Sequence, residues 1–125
     1  MIISPFVPWP ASQKLVLASR SPRRAELLQV AGIPFEVILA GDVEQALATR
    51  LQAEKTHPVH YAELLADAKA RDVSRDLPGR LVLGADTVVV LDGAILEKPV
   101  DEADAIRLLT LLSGRRHTEI GRAHV

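Results

Sequence analysis

Short apolar runs bounded by turn residues alternate along this chain with longer segments in which apolar residues recur every three or four positions. The short runs predict β-strands and the periodic segments predict helices. The predicted strands cover residues 15–18, 35–39, 81–83, 88–91 and 94–96. The predicted helices cover residues 22–31, 45–55, 58–75 and 102–113. Residues 1–13 and 115–125 show neither pattern, so both segments are predicted to be irregular.

The segment after the first predicted strand combines a helix start with two arginines. Ser21 followed by proline is typical of a helix N-terminus, because the hydroxyl caps free backbone N–H groups and proline fits the first helical position. Arg23 and Arg24 then fall in the first turn, where the helix dipole disfavours positive charge. A bound phosphate would compensate, since backbone N–H groups and guanidinium groups all donate to it. The alternative is that both arginines are solvated or paired with Glu26 and Glu36.

Asp86 is the residue that breaks the apolar pattern at the centre of the chain. It stands within the apolar stretch of residues 81–91, directly after Gly84 and Ala85, which leave space beside the backbone. A buried carboxylate must be paired, hydrogen-bonded or bound to a metal, because an isolated one costs about several kcal/mol or more. A functional carboxylate and a structural aspartate in a bulge or strand-end turn both explain this pattern.

Three further charged residues are candidates for a site. Asp42 and Glu44 follow the second predicted strand, where they either supply oxygen ligands for a hard divalent cation or simply begin the next helix. Lys69 lies beside the apolar stripe of the third predicted helix. Its side chain therefore points along the edge of the core toward a site or, as a snorkelling lysine, reaches the surface.

The composition limits the classes of function. The 125 residues, 48% of them hydrophobic, supply the core of one domain. Fifteen basic and sixteen acidic residues create no overall field that would attract nucleic acid, and four aromatic residues are too few for a base-stacking platform. The absence of cysteine excludes disulfides, thiol nucleophiles and cysteine-based zinc sites, and it favours a cytoplasmic location.

Several other motifs are absent. No apolar run is long enough for a membrane span and no leader pattern is present, so neither a membrane segment nor a signal peptide is expected. The sequence has no phosphate-binding loop of the Walker type, no dinucleotide-binding glycine motif and no nucleophile elbow. The four histidines lack the spacing of metal ligands.

Six short motifs occur in a fixed order over residues 15–117. They are Ser19-x-Ser21-x-Arg23-Arg24, Glu44, Lys69 within Leu-Ala-Asp-Ala-Lys-Ala, Gly84-Ala85-Asp86-Thr87, Lys98-Pro99 and Leu112-Ser113-Gly114-Arg115-x-His117. In this order they resemble the motifs of the Maf family of nucleoside triphosphate pyrophosphatases. Each motif alone is a weak signal, whereas the six together are specific.

The resemblance implies an α/β fold in which helices flank a mixed sheet, of the Maf and inosine-triphosphatase-like architecture, with an incomplete second lobe. It also implies metal-dependent cleavage between the α- and β-phosphates of a nucleotide, which yields the monophosphate and pyrophosphate. Asp86 would be the catalytic residue that accepts a proton from water. Glu44 and Asp86 would bind the divalent cation, Mg²⁺ or Mn²⁺.

The same resemblance implies which residues bind the substrate. These are Ser19, Arg23, Arg24, Lys69, Thr87 and Lys98. Arg23 and Thr87 would also determine substrate specificity, because this pair is typical of the family branch that acts on dTTP and UTP; modified pyrimidine nucleotides stay open as further substrates. If these roles are right, the two arginines and Asp86 should face one cleft, about the length of a polyphosphate apart.

The resemblance also bears on domain organisation. Residues 1–118 would form the N-terminal two thirds of a Maf-like domain, since about the last third of a usual family member is absent. Residues 119–125 read Glu-Ile-Gly-Arg-Ala-His-Val, which resembles a translated sequencing adapter, so we expect a non-native tail there. Absent strands would leave sheet edges and apolar faces uncovered.

Two other hypotheses stay open beside catalysis. One is a non-catalytic nucleotide-binding or cell-division regulator, in line with the family's link to septum formation. The other is an inactive fragment. In each case the expected partner is a nucleotide rather than a nucleic acid or a membrane, and a homodimer stays open.

Overall fold

The architecture was taken from a computed structural model that describes residues 14–125; the irregular lead-in predicted over residues 1–13 lies outside the described residues. The elements in chain order are β1 (Leu15–Leu17), α1 (Pro22–Ala31), β2 (Phe35–Val37), α2 (Val43–Ala53), α3 (Pro58–Ser74), β3 (Val82–Leu91), β4 (Ala94–Leu96), α4 (Glu102–Leu112) and β5 (Thr118–His124). None of the described helices is both long and apolar enough to cross a membrane.

The strands form one mixed sheet around β3. The strand order is β2-β1-β3-β4, and β5 also pairs with β3. β1 runs parallel to β2 and to the first residues of β3, where Val16 lies opposite Val82. β4 and β5 run antiparallel to β3. Helices flanking a mixed sheet confirm the predicted α/β fold.

Helix α3 packs closely against strand β3. Tyr61 and Leu65 of α3 are buried against Val88 of β3. Gly84 lies where the helix approaches the strand, and a Cβ atom there would overlap the Ala66 carbonyl oxygen. Because glycine has no side chain, the helix backbone can approach the strand this closely. The approach brings the middle of α3 next to the middle of β3.

Two sequence predictions about the strands are wrong. Residues 81–83 and 88–91 belong to one strand, β3, in which Asp86 pairs in register with Arg122, so Asp86 lies in no bulge or strand-end turn. Residues 118–124 form β5 instead of an irregular segment. Most β5 side chains are exposed and do not alternate, but the strand pairs with β3 along its length, and Arg122 and His124 form ion pairs with Glu63 and Asp67 of α3.

The apolar stripes of two helices are less buried than their periodicity predicts. In α1, Leu28 is buried but Leu27 is 68% exposed. In α4, Leu108 is buried but Leu109 is 67% exposed. Periodicity predicts which residues share a face, whereas burial also requires a neighbouring element to cover that face.

Candidate active site

A cavity of about 600 Å³ is lined by the turn between β1 and α1, the loop after β2, and side chains from α2, α3, β3 and the segment after β4. The structure brings all eight residues that the sequence assigned to the site into its lining: Ser19, Arg23, Arg24, Glu44, Lys69, Asp86, Thr87 and Lys98. The expectation that the two arginines and Asp86 face one cleft is therefore confirmed. Asp42, the other carboxylate candidate, is absent from the lining and occupies the N-cap position of α2.

The turn between β1 and α1 is organised by two serines and an arginine. Ser21 caps α1, and its Oγ accepts a hydrogen bond from the Arg24 backbone N–H at 3.4 Å. Ser19 Oγ accepts from the Ser21 N–H at 3.2 Å and from Arg24 Nη1 at 2.8 Å. Arg24 Nη2 donates to Thr87 Oγ1 at 3.2 Å, which links the turn to β3. The alternative pairing with Glu36 is wrong, because Glu36 forms its ion pair with Arg80.

Lys69 joins the two carboxylates of the cavity. Its Nζ lies 3.1 Å from Asp86 Oδ1 and 3.1 Å from Glu44 Oε1, and it donates to the Ala85 carbonyl oxygen at 3.2 Å. The ammonium therefore donates hydrogen bonds to Ala85 and Asp86 and forms an ion pair with Glu44. Lys69 is only 6% exposed, so the alternative of a surface lysine is wrong.

Asp86 is a buried carboxylate, and one of its two oxygens has no hydrogen-bond partner within the described residues. Burial raises its pKa above the ordinary value, and the nearby Lys69 ammonium only partly offsets this effect. Within residues 14–125, Asp86 Oδ2 is buried and has no hydrogen-bond partner, although Oδ1 is bound to Lys69. A buried acceptor without a partner is costly, which indicates that this oxygen serves a ligand.

The carboxylates of the cavity fit a divalent cation that is shared with a phosphate ligand. The described part of the chain has no group of three or more histidine or acidic side chains that could enclose a metal by itself. Mg²⁺ commonly uses one or two protein carboxylates and takes its other ligands from substrate phosphates and water. Glu44 and Asp86 supply two carboxylates of that kind.

The rest of the cavity is basic. Five basic side chains and two carboxylates line it, which gives a net formal charge of +3. The basic residues are Arg20, Arg23, Arg24, Lys69 and Lys98. Guanidinium and ammonium groups at this density favour a ligand with several negative charges, such as a polyphosphate.

Sequence reasoning missed a hydrogen-bond network at Glu97, the residue before Lys98. Tyr61 is 1% exposed, and its hydroxyl donates to Glu97 Oε1 at 2.6 Å. Gln52 Nε2 donates to the same oxygen at 2.8 Å. Burial and the bond to Glu97 raise the pKa of Tyr61, so its hydroxyl stays a donor at neutral pH. The only signal in the sequence is a tyrosine within an apolar helix stripe, which also fits an ordinary core residue.

Sequence reasoning also missed a contact between α3 and the loop that precedes α2. Asp72 Oδ2 accepts a hydrogen bond from the Gly41 N–H at 2.8 Å and so ties the loop after β2 to α3. Asp72 lies three residues after Lys69 on the same helix face. The motif pattern alone gave no signal for this contact.

Comparison with known proteins agrees with this geometry. The sequence profile of the family described as Maf-like protein matches residues 14–125. The chain is 51% identical over 107 residues to a dTTP/UTP pyrophosphatase of Geotalea uraniireducens, which covers 86% of this chain and 52% of that protein. It is 50% identical over 105 residues to a dTTP/UTP pyrophosphatase of Symbiobacterium thermophilum, covering 84% of this chain and 51% of that protein.

A relative with a broader name is equally similar. The nucleoside triphosphate pyrophosphatase of Rhodopseudomonas palustris is 50% identical over 109 residues, which covers 87% of this chain and 53% of that protein. The chain thus spans about half the length of the curated relatives it matches. Since the family profile matches nearly the whole chain, the chain belongs to the Maf-like protein family.

Proposed function

We propose that this chain carries the phosphate-binding and catalytic part of a nucleoside triphosphate pyrophosphatase that acts on dTTP and UTP. The observation that carries the proposal is the buried carboxylate of Asp86, which has an unpaired oxygen and lines the same cavity as five basic side chains. Relatives that are named dTTP/UTP pyrophosphatases and match over most of this chain support the choice of substrate.

In the proposed reaction, a water oxygen forms a bond to the α-phosphorus and the bond from that phosphorus to the bridging oxygen breaks. The products are the nucleoside monophosphate and pyrophosphate. Asp86 accepts the water proton at Oδ2, the oxygen that Lys69 leaves free. The raised pKa of Asp86 suits this role, because it makes the carboxylate a stronger base than an ordinary aspartate.

Glu44 and Asp86 are the residues that would hold the divalent cation. When bound, such a cation lowers the pKa of water and offsets phosphate charge. Mg²⁺ and Mn²⁺ both prefer oxygen ligands of this kind.

The basic residues would act on the triphosphate. Arg24 is fixed by Ser19 and Thr87, so it offers a preorganised donor to the phosphates. Arg23 and Lys98 line the same cavity and would bind the negative charge that moves toward pyrophosphate. The bond between Arg24 and Thr87 also connects the phosphate-binding turn to one of the two proposed specificity residues.

The test is release of pyrophosphate by a completed chain, in which the C-terminal half of the Geotalea relative follows the described domain. We expect dTTP and UTP, with Mg²⁺ or Mn²⁺, to yield the monophosphate and pyrophosphate. Release of orthophosphate would show a different bond to be cleaved and would contradict the proposal. GTP and CTP serve as the comparison substrates.

Asp86→Asn tests the proposed base. We expect kcat to fall about 10²- to 10⁴-fold, since a positioned base contributes that much, while the nucleotide still binds. Asp42→Asn is the matched control, because Asp42 is a carboxylate two residues from Glu44 that does not line the cavity. An undiminished kcat in Asp86→Asn would show that Asp86 is not the catalytic base.

A second candidate function is nucleotide binding without turnover. The five basic side chains of the cavity would bind a triphosphate whether or not Asp86 acts on it. Equilibrium dialysis with labelled dTTP separates the two functions. Tight binding by the completed chain with no pyrophosphate released would favour this second candidate.

A further inference from the structure

The Lys69 ammonium contacts both of the carboxylates that would hold a metal ion. Its ammonium lies 3.1 Å from one oxygen of Glu44 and 3.1 Å from one oxygen of Asp86. A divalent cation needs the same negative charge that this ammonium already neutralises. The lysine and a metal therefore compete for Glu44 and Asp86.

The two carboxylates differ in how readily they can leave the lysine. The Glu44 side chain is 41% exposed, whereas that of Asp86 is 6% exposed. Asp86 also keeps its second oxygen free while Oδ1 holds Lys69. Glu44 is thus the carboxylate that can turn from Lys69 toward an incoming cation without breaking the buried pair.

The rest of the cavity adds to the barrier against a free cation. With five basic side chains and two carboxylates, the cavity has a net formal charge of +3. A divalent ion alone would raise this charge further. The same ion bound to a triphosphate arrives as an anion, which a positive cavity attracts.

From these contacts we propose that Lys69 is a built-in counter-cation, so that the site takes up its divalent metal together with the nucleotide's phosphates and binds the free ion weakly. This inference rests on the proposed function, because it assumes a nucleotide triphosphate as ligand. Lys69 is then a positioning residue that holds the carboxylates together until the metal nucleotide arrives, rather than a direct phosphate ligand.

The test measures Mn²⁺ binding without turnover. Electron paramagnetic resonance follows the loss of the free Mn²⁺ signal in the completed chain, with the 125-residue chain measured in parallel. The nucleotide is a dTTP analogue with a methylene group between the α- and β-phosphorus, which cannot be cleaved there. We expect the unmodified chain to bind Mn²⁺ at least about tenfold more tightly with the analogue than without it.

Lys69→Met supplies the decisive comparison. Without the ammonium, we expect Mn²⁺ alone to bind about tenfold more tightly than in the unmodified chain, since a unit charge a few ångströms away is removed. Lys98→Met is the matched control, because it removes the same charge from the same cavity lining. Within residues 14–125 the two carboxylates form their ion pairs with Lys69 and none with Lys98, so we expect the Lys98 variant to bind Mn²⁺ within about twofold of the unmodified chain.

Lys69→Gln is a second variant, to be used if Lys69→Met does not fold. The glutamine amide removes the charge but keeps two N–H groups that can donate to the carboxylates. Unchanged or weaker Mn²⁺ binding in the folded Lys69 variants overturns the proposal. Equal tightening in Lys98→Met also overturns it, because general charge would then explain the effect. If neither Lys69 variant folds, the unmodified chain still decides: equal Mn²⁺ affinity with and without the analogue overturns the proposal.

Failure of this inference and failure of the proposed function give different results. The affinity of Mn²⁺ in the absence of nucleotide does not depend on hydrolysis. If the unmodified chain releases no pyrophosphate but Lys69→Met tightens Mn²⁺ binding, the counter-cation inference holds and the proposed enzymatic function fails. If the unmodified chain releases pyrophosphate but Lys69→Met does not tighten Mn²⁺ binding, the proposed function holds and the counter-cation inference fails.

Discussion

Two helices of this molecule use their apolar residues in opposite ways. In α3, the side chains that face β3 are buried, with Leu65 at 2% exposure. In α4, Ile106 and Leu109 are 60% and 67% exposed, and Leu108 is the buried residue. The cavity takes Lys69 from the first helix and no residue from the second. The helix that contributes Lys69 to the site is therefore packed into the core, whereas the outer face of α4 is uncovered within residues 14–125.

Mutations in the two helices should affect the site differently. If α3 and β3 form the cooperative core, damage there should disturb the carboxylates and the lysine together. Damage to α4 should leave them in place, because α4 has few neighbours that could transmit it.

The largest expected difference between the two helices is the cost of removing a leucine. Leu65→Ala should lower the free energy of unfolding by about 2 to 5 kcal/mol, because it opens a cavity in the core. Leu109→Ala should change it by less than about 0.5 kcal/mol, since that side chain is already in solvent. Urea unfolding of the 125-residue chain measures both. Similar costs for the two variants would show that α4 is packed as tightly as α3.

A second prediction concerns the close approach of α3 to β3. Gly84→Ala should destabilise the chain by about 1 to 3 kcal/mol, because the added methyl group overlaps the Ala66 carbonyl and lies 2.9 Å from the Ala70 nitrogen. Gly41→Ala is the matched control, since its Cβ would meet only Asp72 Oδ2, at an ordinary contact distance of 3.6 Å. Thermal unfolding followed by circular dichroism compares the two. A tolerated Gly84→Ala would mean that the helix can shift without cost.

The third prediction compares how two carboxylates, Asp86 in the core and Asp104 at the start of α4, change stability with pH. Burial raises the folded-state pKa of Asp86, so its contribution to stability is present below the ordinary value of 3.8 and is lost as pH rises through the folded-state pKa. Asp86→Asn removes this loss. We therefore expect its stability relative to the unmodified chain to increase from acid to neutral pH.

Asp104 of α4 gives the opposite sign. Its hydrogen bonds from Arg107 and from the Val100 N–H lower its pKa, so its contribution is present above the ordinary value and is lost as pH falls. Asp104→Asn should therefore lose stability relative to the unmodified chain as pH rises. Urea unfolding at several pH values measures both variants. Curves of the same slope would contradict the assignment.

The sequence was sufficient for the parts of the fold and site that depend on local chemistry. The helix starts at Ser21, His57 and Asp101 are confirmed, because a capping side chain and the residues after it decide a helix N-terminus. The eight residues assigned to the site all line one cavity, whereas the motif over residues 112–117 contributes nothing to its lining. Their proposed roles stay predictions.

The rest depends on contacts between distant parts of the chain. No local pattern shows that Gly84 lets α3 approach β3, and without that approach the distance between Lys69 and Asp86 cannot be inferred. The strand β5 was missed because its exposed side chains do not alternate. The exposure of Leu109 was missed because periodicity predicts a face but not what covers it.

The smallest expected difference concerns the two helix caps. Asp101 Oδ1 accepts from the Asp104 N–H at 2.7 Å in α4, and Ser21 Oγ accepts from the Arg24 N–H at 3.4 Å in α1. Asp101→Ala and Ser21→Ala should each cost about 1 kcal/mol within their own helix.

The two costs should appear in different measurements. The α1 helix is anchored by Leu28 against Leu15 and Leu17 of β1, so Ser21→Ala should lower the stability of the whole fold. The α4 helix is exposed along most of its length, so Asp101→Ala should speed amide hydrogen exchange within α4 and leave global unfolding unchanged. Exchange resolved by residue, together with urea unfolding, measures both. If Asp101→Ala lowered global stability as much as Ser21→Ala, α4 would unfold together with the core, and the contrast between the two helices would not hold.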